Sequence, residues 1–370
     1  MKLGVIGYGN RIQHMISEVI AVDPSSEVVA IVDPQSSLIQ AQQQERLVNT
    51  SYYETPEEML ASTAFDGILI GTRCNLHTEM ALKVLPTRIP LFLEKPVSTT
   101  MEDLRRLKAG ADETKAPVIV SFPLRVSPIV QLVKEIVDSG KIGTIEHVQA
   151  INNVSYGAVY YHSWYRDEQI TGGLFLQKAT HDFDYINHVL GLNPVSVCAM
   201  KSKQIFKGDK PAGLRCVDCA ENKICPESAY HDETAKCVFG TDTGNEDSGS
   251  ALLYYDSGMH VSYSQNFFAR RGAAARGARF LGFKGTIEFD FYTDTVKVYM
   301  HHTDRVETYK VGGVENHSGG DRVLAAGFVN MMHGTSPSSS PLEDGLISAL
   351  QCIKARESAE TRTFQNIDWN

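Results

Sequence analysis

The chain begins with MKLGVIGYGNRI, in which the apolar run Leu3-Gly4-Val5-Ile6 is followed directly by Gly7-Tyr8-Gly9-Asn10. Glycines between a strand and a helix permit a tight turn and a close approach of the backbone to a phosphate at the helix N-terminus. Ile12 stands where the usual GxGxxG pattern has its third glycine, which weakens the pattern. The turn nevertheless predicts that a dinucleotide pyrophosphate binds here.

Asp33 strengthens this interpretation. It ends the next apolar run, residues 28–32, where a carboxylate can bind a ribose 2′-hydroxyl. An acid at this place should repel the 2′-phosphate of NADP, and no arginine follows in Pro34-Gln35-Ser36-Ser37. We therefore expect NAD as the cofactor. A turn that Asp33 merely opens with Pro34 is the alternative.

Working outward from this turn, the first third of the chain alternates short apolar runs with helix-like segments. Runs without in–out alternation are typical of strands buried on both faces of a parallel sheet. Beyond residue 122 the pattern changes to longer strands with turns between them, and the end becomes helical again at residues 342–359. This predicts an α/β protein: a doubly wound Rossmann domain at 1–122, then an α+β domain with a large, mostly antiparallel open sheet at 123–370.

Composition excludes several classes of function. The 370-residue chain has a formal net charge of −9, which argues against nucleic acid as a partner. No run of about 18 uncharged apolar residues predicts a membrane span, and the first residues do not resemble a signal peptide. We expect a cytoplasmic protein.

Two further stretches offer groups that move protons. Glu94-Lys95-Pro96 follows the apolar run at residues 91–93, and ligands of open α/β sheets collect at the carboxyl ends of strands. Lys95 can polarise a substrate oxygen there. His181 lies near the start of a predicted helix, and Asp184 follows it at i+3 on the same face. Taken alone, each stretch is also compatible with a purely structural role.

Residues 160–167 are rich in aromatic side chains. Tyr161 and Trp164 can stack on the C–H faces of a sugar, and Arg166 can hold a carboxylate. An aromatic cluster that only packs the edge of a sheet is the alternative.

Four cysteines, Cys216, Cys219, Cys225 and Cys237, lie in a polar insert at about residues 208–245. Four thiolates can bind a structural zinc that staples a loop without a core of its own. Free thiols, a disulfide and an iron–sulfur cluster remain the alternatives.

Together, the glycine turn, Glu-Lys-Pro, the stretch from Gly172-Gly173 to His181 and Asp184, and the final helix after Leu342-Glu343-Asp344-Gly345 resemble the Gfo/Idh/MocA family over essentially the whole chain. The cysteine-rich insert resembles that of a subset of this family. The resemblance implies that Lys95 and His181 are catalytic. It implies that the cofactor is lined by Gly7, Gly9, Asn10, Arg11, Ile12, Asp33, Thr72, Asn75, His77, Glu94 and Lys95. It implies that the substrate is contacted by Arg125, Tyr161, Trp164, Arg166, Gln177, Lys178 and Asp184.

One position departs from the family pattern. Many of its dehydrogenases carry an aspartate four residues before the histidine, where this chain has Gln177. Glutamine forms hydrogen bonds but does not take up a proton, and Lys178 beside it can substitute electrostatically. The pocket should therefore differ from that of an ordinary inositol or glucose dehydrogenase.

These features predict an NAD-dependent oxidoreductase that oxidises a secondary hydroxyl of a sugar, sugar acid or cyclitol. A glycosidase that keeps NAD bound and oxidises the sugar only transiently is the first alternative. A non-enzymatic regulator that binds a nucleotide is the second. The resemblance also implies a homodimer or homotetramer formed through the C-terminal sheet.

Overall fold

The computed structural model describes residues 1–312 and 317–369. The chain forms two compact units: the first comprises Met1–Pro128 and Val314–Leu350, and the second comprises Ile129–Gly313 and Gln351–Asn370. The predicted division after residue 122 differs from this partition, because a later segment of the chain returns to the first unit.

The elements in chain order are as follows. The strands are β1 (Lys2–Ile6), β2 (Glu27–Val32), β3 (Ser51–Tyr53), β4 (Gly67–Ile70), β5 (Leu91–Leu93), β6 (Val118–Val120), β7 (Ile145–Asn153), β8 (Ser196–Ser202), β9 (Ser248–Tyr254), β10 (His260–Asn266), β11 (Ala275–Gly282), β12 (Gly285–Asp290), β13 (Thr295–Met300), β14 (Val306–Lys310) and β15 (Gln365–Asn366). The helices are α1 (Asn10–Val22), α2 (Ser36–Ala41), α3 (Pro56–Ser62), α4 (His77–Val84), α5 (Met101–Thr114), α6 (Pro128–Asp138), α7 (Val159–His162), α8 (Glu168–Thr171), α9 (Thr180–Leu190), α10 (Gly320–Met332) and α11 (Leu342–Thr361).

The first unit contains a parallel sheet whose described strands have the order β3-β2-β1-β4-β5-β6. The strands β4, β5 and β6 are buried along their whole length, which explains their continuous apolar sequences. The order reverses between β1 and β4, and ligands of such sheets bind at this switch point. The predicted Rossmann architecture is confirmed, and β3 is a short strand that the pattern did not reveal.

Two helices of the first unit begin with a threonine cap. The Thr55 hydroxyl accepts a hydrogen bond from the N–H of Glu58 at 3.2 Å before α3. The Thr100 hydroxyl accepts one from the N–H of Asp103 at 3.1 Å before α5. Each cap satisfies an amide that the helix itself leaves without a partner.

The second unit contains a sheet whose described strands have the order β14-β13-β12-β11-β7-β10-β9-β8-β15. Its pairs are antiparallel except for β7 with β10, which run parallel. Burial alternates along β9 and β10, so one face packs on the core and the other is open. The predicted mostly antiparallel open sheet is confirmed. No helix in the described part of the chain is both long and apolar enough to cross a membrane.

Candidate active site

The turn after β1 has the geometry of a phosphate-binding loop. Gly7 has a φ of +83°, and its N–H donates to the Val32 carbonyl at 2.9 Å. A Cβ at Gly7 would lie 2.7 Å from the backbone nitrogen of Thr72, so only glycine fits. Gly9 and Asn10 are exposed at the start of α1, where no side chain of the described residues caps the helix. These features fit a dinucleotide pyrophosphate.

Asp33 is half-buried just after β2 and faces this turn. Its Oδ2 accepts a hydrogen bond from the N–H of Tyr8 at 2.8 Å, and its Oδ1 accepts one from the N–H of Gln35 at 2.7 Å. The carboxylate therefore ties the glycine turn to the end of β2. Each oxygen keeps a lone pair for a further donor such as a ribose hydroxyl.

The loop after β4 contains three of the predicted cofactor residues. Asn75 is exposed and Thr72 is half-buried, so both side chains are accessible. The His77 ring is buried; Nδ1 lies 2.7 Å from the Pro96 carbonyl, and Nε2 lies 3.2 Å from the Thr72 carbonyl. Burial lowers the pKa of His77. The imidazole therefore links the loop after β4 to the loop after β5, and its contact with the cofactor stays a prediction.

Arg11 and Glu94 form an ion pair beneath the glycine turn. Arg11 Nε lies 2.9 Å from Glu94 Oε1, and Arg11 Nη2 lies 2.7 Å from Asp321 Oδ1. Asp321 lies in α10, and no sequence motif pointed to its role. The charges of Arg11 and Glu94 are thus paired inside the first unit, and their contact with the cofactor stays a prediction.

Lys95 and Arg125 lie in the first unit as well. Lys95 is half-buried and follows Glu94 directly, at the carboxyl end of β5. Arg125 is buried, and its Nη1 lies 2.5 Å from Asp344 Oδ2. This pair explains the acid in the Leu-Glu-Asp-Gly pattern, since Asp344 neutralises the guanidinium that we predicted near the substrate.

The histidine segment of the second unit begins with an irregular helical turn. The piece before α9 is a π-helical turn at Phe175–Ala179 that continues into α9. Such turns accommodate an extra residue and are frequent at functional sites. All four predicted residues of this segment are at most 6% exposed: Gln177, Lys178, His181 and Asp184.

A buried polar network lies around Asp182, the neighbour of His181. Asp182 Oδ2 accepts hydrogen bonds from Asn152 Nδ2 at 2.6 Å and from the Tyr263 hydroxyl at 2.9 Å. Arg276 Nε donates to Asp182 Oδ1 at 2.8 Å. Arg276 lies in β11. The network anchors the first turn of α9 to the sheet, so the main-chain position of His181 is well defined.

Two of the predicted substrate residues at 160–167 are buried and form hydrogen bonds inside the fold. Tyr161 is fully buried, and its hydroxyl donates to the Glu246 carbonyl at 2.6 Å. Arg166 is buried, with Nη1 donating to the Tyr161 carbonyl at 3.0 Å and Nη2 lying 2.5 Å from Asp242 Oδ1. The polar groups of both side chains are thus engaged inside the fold, and their contact with a substrate stays a prediction. Trp164 is half-buried and stacks on Tyr165, with ring centroids 3.9 Å apart.

The cysteine-rich insert does not show the predicted zinc site. All four cysteines are free thiols. Cys216 Sγ lies 3.7 Å from the Lys236 carbonyl and 3.8 Å from His162 Nδ1. The part of the chain that the structure describes contains no group of three histidine, cysteine or acidic side chains that could hold a metal ion. Hydrogen bonds inside the insert, such as Cys216 N–H to the Ala235 carbonyl at 2.7 Å, order it instead.

Comparisons with known proteins agree with this architecture. Residues 1–122 match the family described as "Oxidoreductase family, NAD-binding Rossmann fold", and residues 130–288 match the GFO/IDH/MocA C-terminal domain.

Two curated relatives cover most of the chain. YteT of Bacillus subtilis, named as an oxidoreductase, is 28% identical over 72% of this chain and 73% of its own. Myo-inositol 2-dehydrogenase of Thermotoga maritima is 24% identical over 85% of this chain and 91% of its own.

Among solved structures, an oxidoreductase domain protein from Kribbella flavida has a TM-score of 0.82 at 18% identity, over 99% of this chain and 98% of its own. A levoglucosan dehydrogenase in complex with NADH and levoglucosan has a TM-score of 0.80 at 17% identity, over 99% of both chains. At these identities the structural likeness supports the fold alone. Family membership rests on the family models, which match residues 1–122 and 130–288. The chain therefore belongs to the Gfo/Idh/MocA family of oxidoreductases.

Proposed function

We propose that this chain is an NAD-dependent dehydrogenase that oxidises a secondary hydroxyl of a sugar, sugar acid or cyclitol. The close approach of Gly7 to the backbone of Thr72 carries this proposal. It leaves no room for a side chain at residue 7, in the turn where the family binds its dinucleotide. The relatives support the substrate class, since one of them is named as a myo-inositol 2-dehydrogenase.

The cofactor fits the residues of the first unit. Gly7, Gly9 and Asn10 would hold the pyrophosphate, with the N-terminus of α1 facing its charge. Asp33 would bind the adenosine ribose and disfavour the 2′-phosphate of NADP. When bound, the nicotinamide would supply the hydride acceptor.

Lys95 and His181 would have different roles in the oxidation of the hydroxyl group. The Lys95 ammonium would polarise the substrate oxygen, because a positive charge stabilises the alkoxide that develops as the C–H bond weakens. His181 would accept the hydroxyl proton, as an imidazole can near neutral pH. Gln177 would orient a neighbouring hydroxyl without exchanging a proton.

The first experiment measures the cofactor and the reaction separately. One sample of purified protein is denatured and assayed for released NAD(H). A second, native sample is supplied with NAD and screened for NADH formation with myo-inositol, free sugars and sugar acids. Formation of NADH with one of these compounds supports the proposal. Release of an aglycone from chromogenic glycosides without NADH accumulation would instead identify the glycosidase. Failure to bind NAD in any form would contradict both.

We also propose that the protein acts in the cytoplasm and self-associates through the open face of the C-terminal sheet. Four large apolar side chains on this face are more than a third exposed: Ile151, Met200, Leu252 and Tyr254. A contiguous apolar patch on a sheet face is typical of a protein–protein interface.

A further inference from the structure

A buried carboxylate caps the segment of the second unit that contains Gln177 and His181. The helical run begins at Leu174, and the first amides of such a run have no partner within it. Glu246 Oε1 accepts hydrogen bonds from the N–H of Leu174 at 3.0 Å and from the N–H of Phe175 at 3.1 Å. A negative charge is favourable at this end of a helix, so the cap stabilises the start of the segment.

The carboxylate of Glu246 has few other contacts. The residue is 5% exposed, and its Oε2 has no hydrogen-bond partner in the part of the chain that the structure describes. Burial raises the pKa of Glu246, the charge of Lys201 in β8 opposes this shift, and the charge of Glu168 in α8 adds to it. A carboxylate is costly to bury. The two capped amides therefore account for an acid at this position.

The main chain at Glu246 is held by bonds that do not involve the helical run. Its carbonyl accepts a hydrogen bond from the Tyr161 hydroxyl at 2.6 Å. The next residue, Asp247, accepts with Oδ2 from the N–H of Gln204 at 2.8 Å and from the N–H of Phe206 at 3.0 Å. The carboxylate thus reaches the start of the helical run from a fixed support.

The capped amides lead into the π-helical turn at Phe175–Ala179. A π-helical turn contains one residue more than an α-helical turn and is rare. Here it is held at both ends, by Glu246 at its start and by the bonds of Asp182 to the sheet just after its end. Release of the start would let the turn relax to an α-helical one, which rotates the residues before α9 by about 100° about the helix axis. Gln177 lies in this turn, so its direction depends on the cap.

We propose that Glu246 is a positioning residue, which caps the π-helical turn and thereby fixes the direction in which Gln177 presents its amide to the substrate. This role rests on the proposed dehydrogenase function, in which Gln177 orients a hydroxyl next to the one that is oxidised. Glu246 acts through the main-chain amides of Leu174 and Phe175.

Amide hydrogen exchange tests the cap independently of the reaction. Exchange is followed by mass spectrometry on peptides that cover residues 170–180. Glu246→Leu removes the acceptor and should speed exchange at Leu174 and Phe175 by about tenfold or more, because both amides lose their hydrogen bond. Glu246→Gln keeps an acceptor oxygen, and its exchange should stay within about threefold of the original rate.

Reaction rates test whether the cap serves catalysis. With NAD and the substrate identified by NADH formation, Glu246→Leu should lower kcat by about 10- to 100-fold, as displacement of a positioning group does. NAD affinity should stay close to that of the original chain, and Glu246→Gln should retain most of the rate. Glu168→Gln is the matched control, because it removes a neighbouring carboxylate that pairs with Lys201. It should leave both exchange and kcat unchanged.

A Gln177→Ala background separates positioning from general damage to the fold. Once the amide of Gln177 is absent, Glu246→Leu should lower kcat further by no more than about threefold. A further loss as large as in the original chain would show that the effect does not pass through Gln177, and would overturn the proposal. If Glu246→Leu does not fold, Glu246→Asp replaces it in each experiment, since its shorter side chain withdraws the carboxylate from the amides.

The outcomes distinguish this role from the proposed function. Unchanged amide exchange in Glu246→Leu would refute the cap. Faster exchange with an unchanged kcat would refute the positioning role and leave the dehydrogenase function intact. A chain that forms no NADH with any of the compounds would refute the dehydrogenase function and with it the role of Glu246 in catalysis, while the exchange rates would still decide whether the cap exists.

Discussion

Ile12 occupies the space that a side chain at residue 71 would need. A Cβ built on Gly71 would lie 1.9 Å from Ile12 Cγ1 and 2.8 Å from its Cδ1. In the usual GxGxxG pattern the third glycine lies on the helix and lets it pack closely on the strand. Here the strand end supplies the glycine and the helix supplies the bulky residue. Close packing is therefore retained, and the backbone of Ile12, though not its buried side chain, remains a candidate for cofactor contact.

This exchange predicts a coupling between the two positions. Gly71→Ala should lower the free energy of unfolding by about 1–3 kcal/mol, as overpacking of a core does. In an Ile12→Ala background the same change should cost clearly less, because Cγ1 and Cδ1 are absent and only the Cβ of residue 12, 3.2 Å away, remains as a contact. Urea unfolding of the four proteins measures the coupling. Equal costs in both backgrounds would show that the contact does not limit packing.

Asp33 should control the choice of dinucleotide. Asp33→Asn keeps an oxygen that can accept from the N–H of Tyr8, but it removes the negative charge. We expect the preference for NAD over NADP to fall by about tenfold or more, since like charges at one site cost at least ~1.4 kcal/mol. Titration with both nucleotides, followed by NAD(P)H fluorescence, gives the ratio. An unchanged ratio of the two affinities would mean that another group distinguishes the 2′-hydroxyl of NAD from the 2′-phosphate of NADP.

Asp321 should make stability depend on acid pH. Burial raises the pKa of Asp321, but hydrogen bonds from His317 and Arg11, together with their charges, outweigh it and hold the pKa well below its usual range. His14 Nε2 also lies 3.2 Å from this carboxylate. Because the folded pKa is below the unfolded value of about 3.9, the stabilisation is complete above that pH and disappears as pH falls below it.

Asp321→Asn should therefore lose about 3 kcal/mol near neutral pH, the usual cost of breaking a buried pair. The difference from the original chain should shrink below about pH 4. Denaturant unfolding at several pH values gives this profile, and Glu54→Gln at an exposed site serves as the control. A deficit that stays constant down to pH 3 would contradict the assignment.

Lys95 and His181 should each be needed for hydride transfer but not for NAD binding. Lys95→Met and His181→Gln should lower kcat by about 10²- to 10⁴-fold, the range for general acid–base groups. NAD affinity, measured on the same preparations, should change little in His181→Gln. A loss of NAD binding in proportion to the loss of rate would indicate damage to the cofactor site instead.

Leu252 should contribute to self-association. It lies in β9 on the open face and is 51% exposed. Leu252→Glu would bury a charge in the proposed interface, so the oligomer should dissociate in light scattering at micromolar concentration. Val48→Glu, an exposed apolar residue of the first unit, should leave the mass unchanged. If the original chain is monomeric, the proposed interface is wrong.

The sequence by itself determined the fold class and the order of its parts. Apolar runs such as the one ending at Ile6 mark the buried parallel strands, because this signal acts between near neighbours in the chain. The positions of Lys95 and His181 beside recognisable patterns come from the same local information. The zinc prediction failed because spacing alone does not determine whether thiols converge.

Only the tertiary structure decided which polar residues are used inside the fold. Arg166 pairs with Asp242, Asp182 pairs with Arg276, and Arg11 pairs with Asp321, each across a long stretch of chain. Such partners meet only after the sheets form, and burial without a partner would be costly, so the pairing fixes each role. Lys178 and its hydrogen-bond partner Tyr156 likewise come from different segments of the chain.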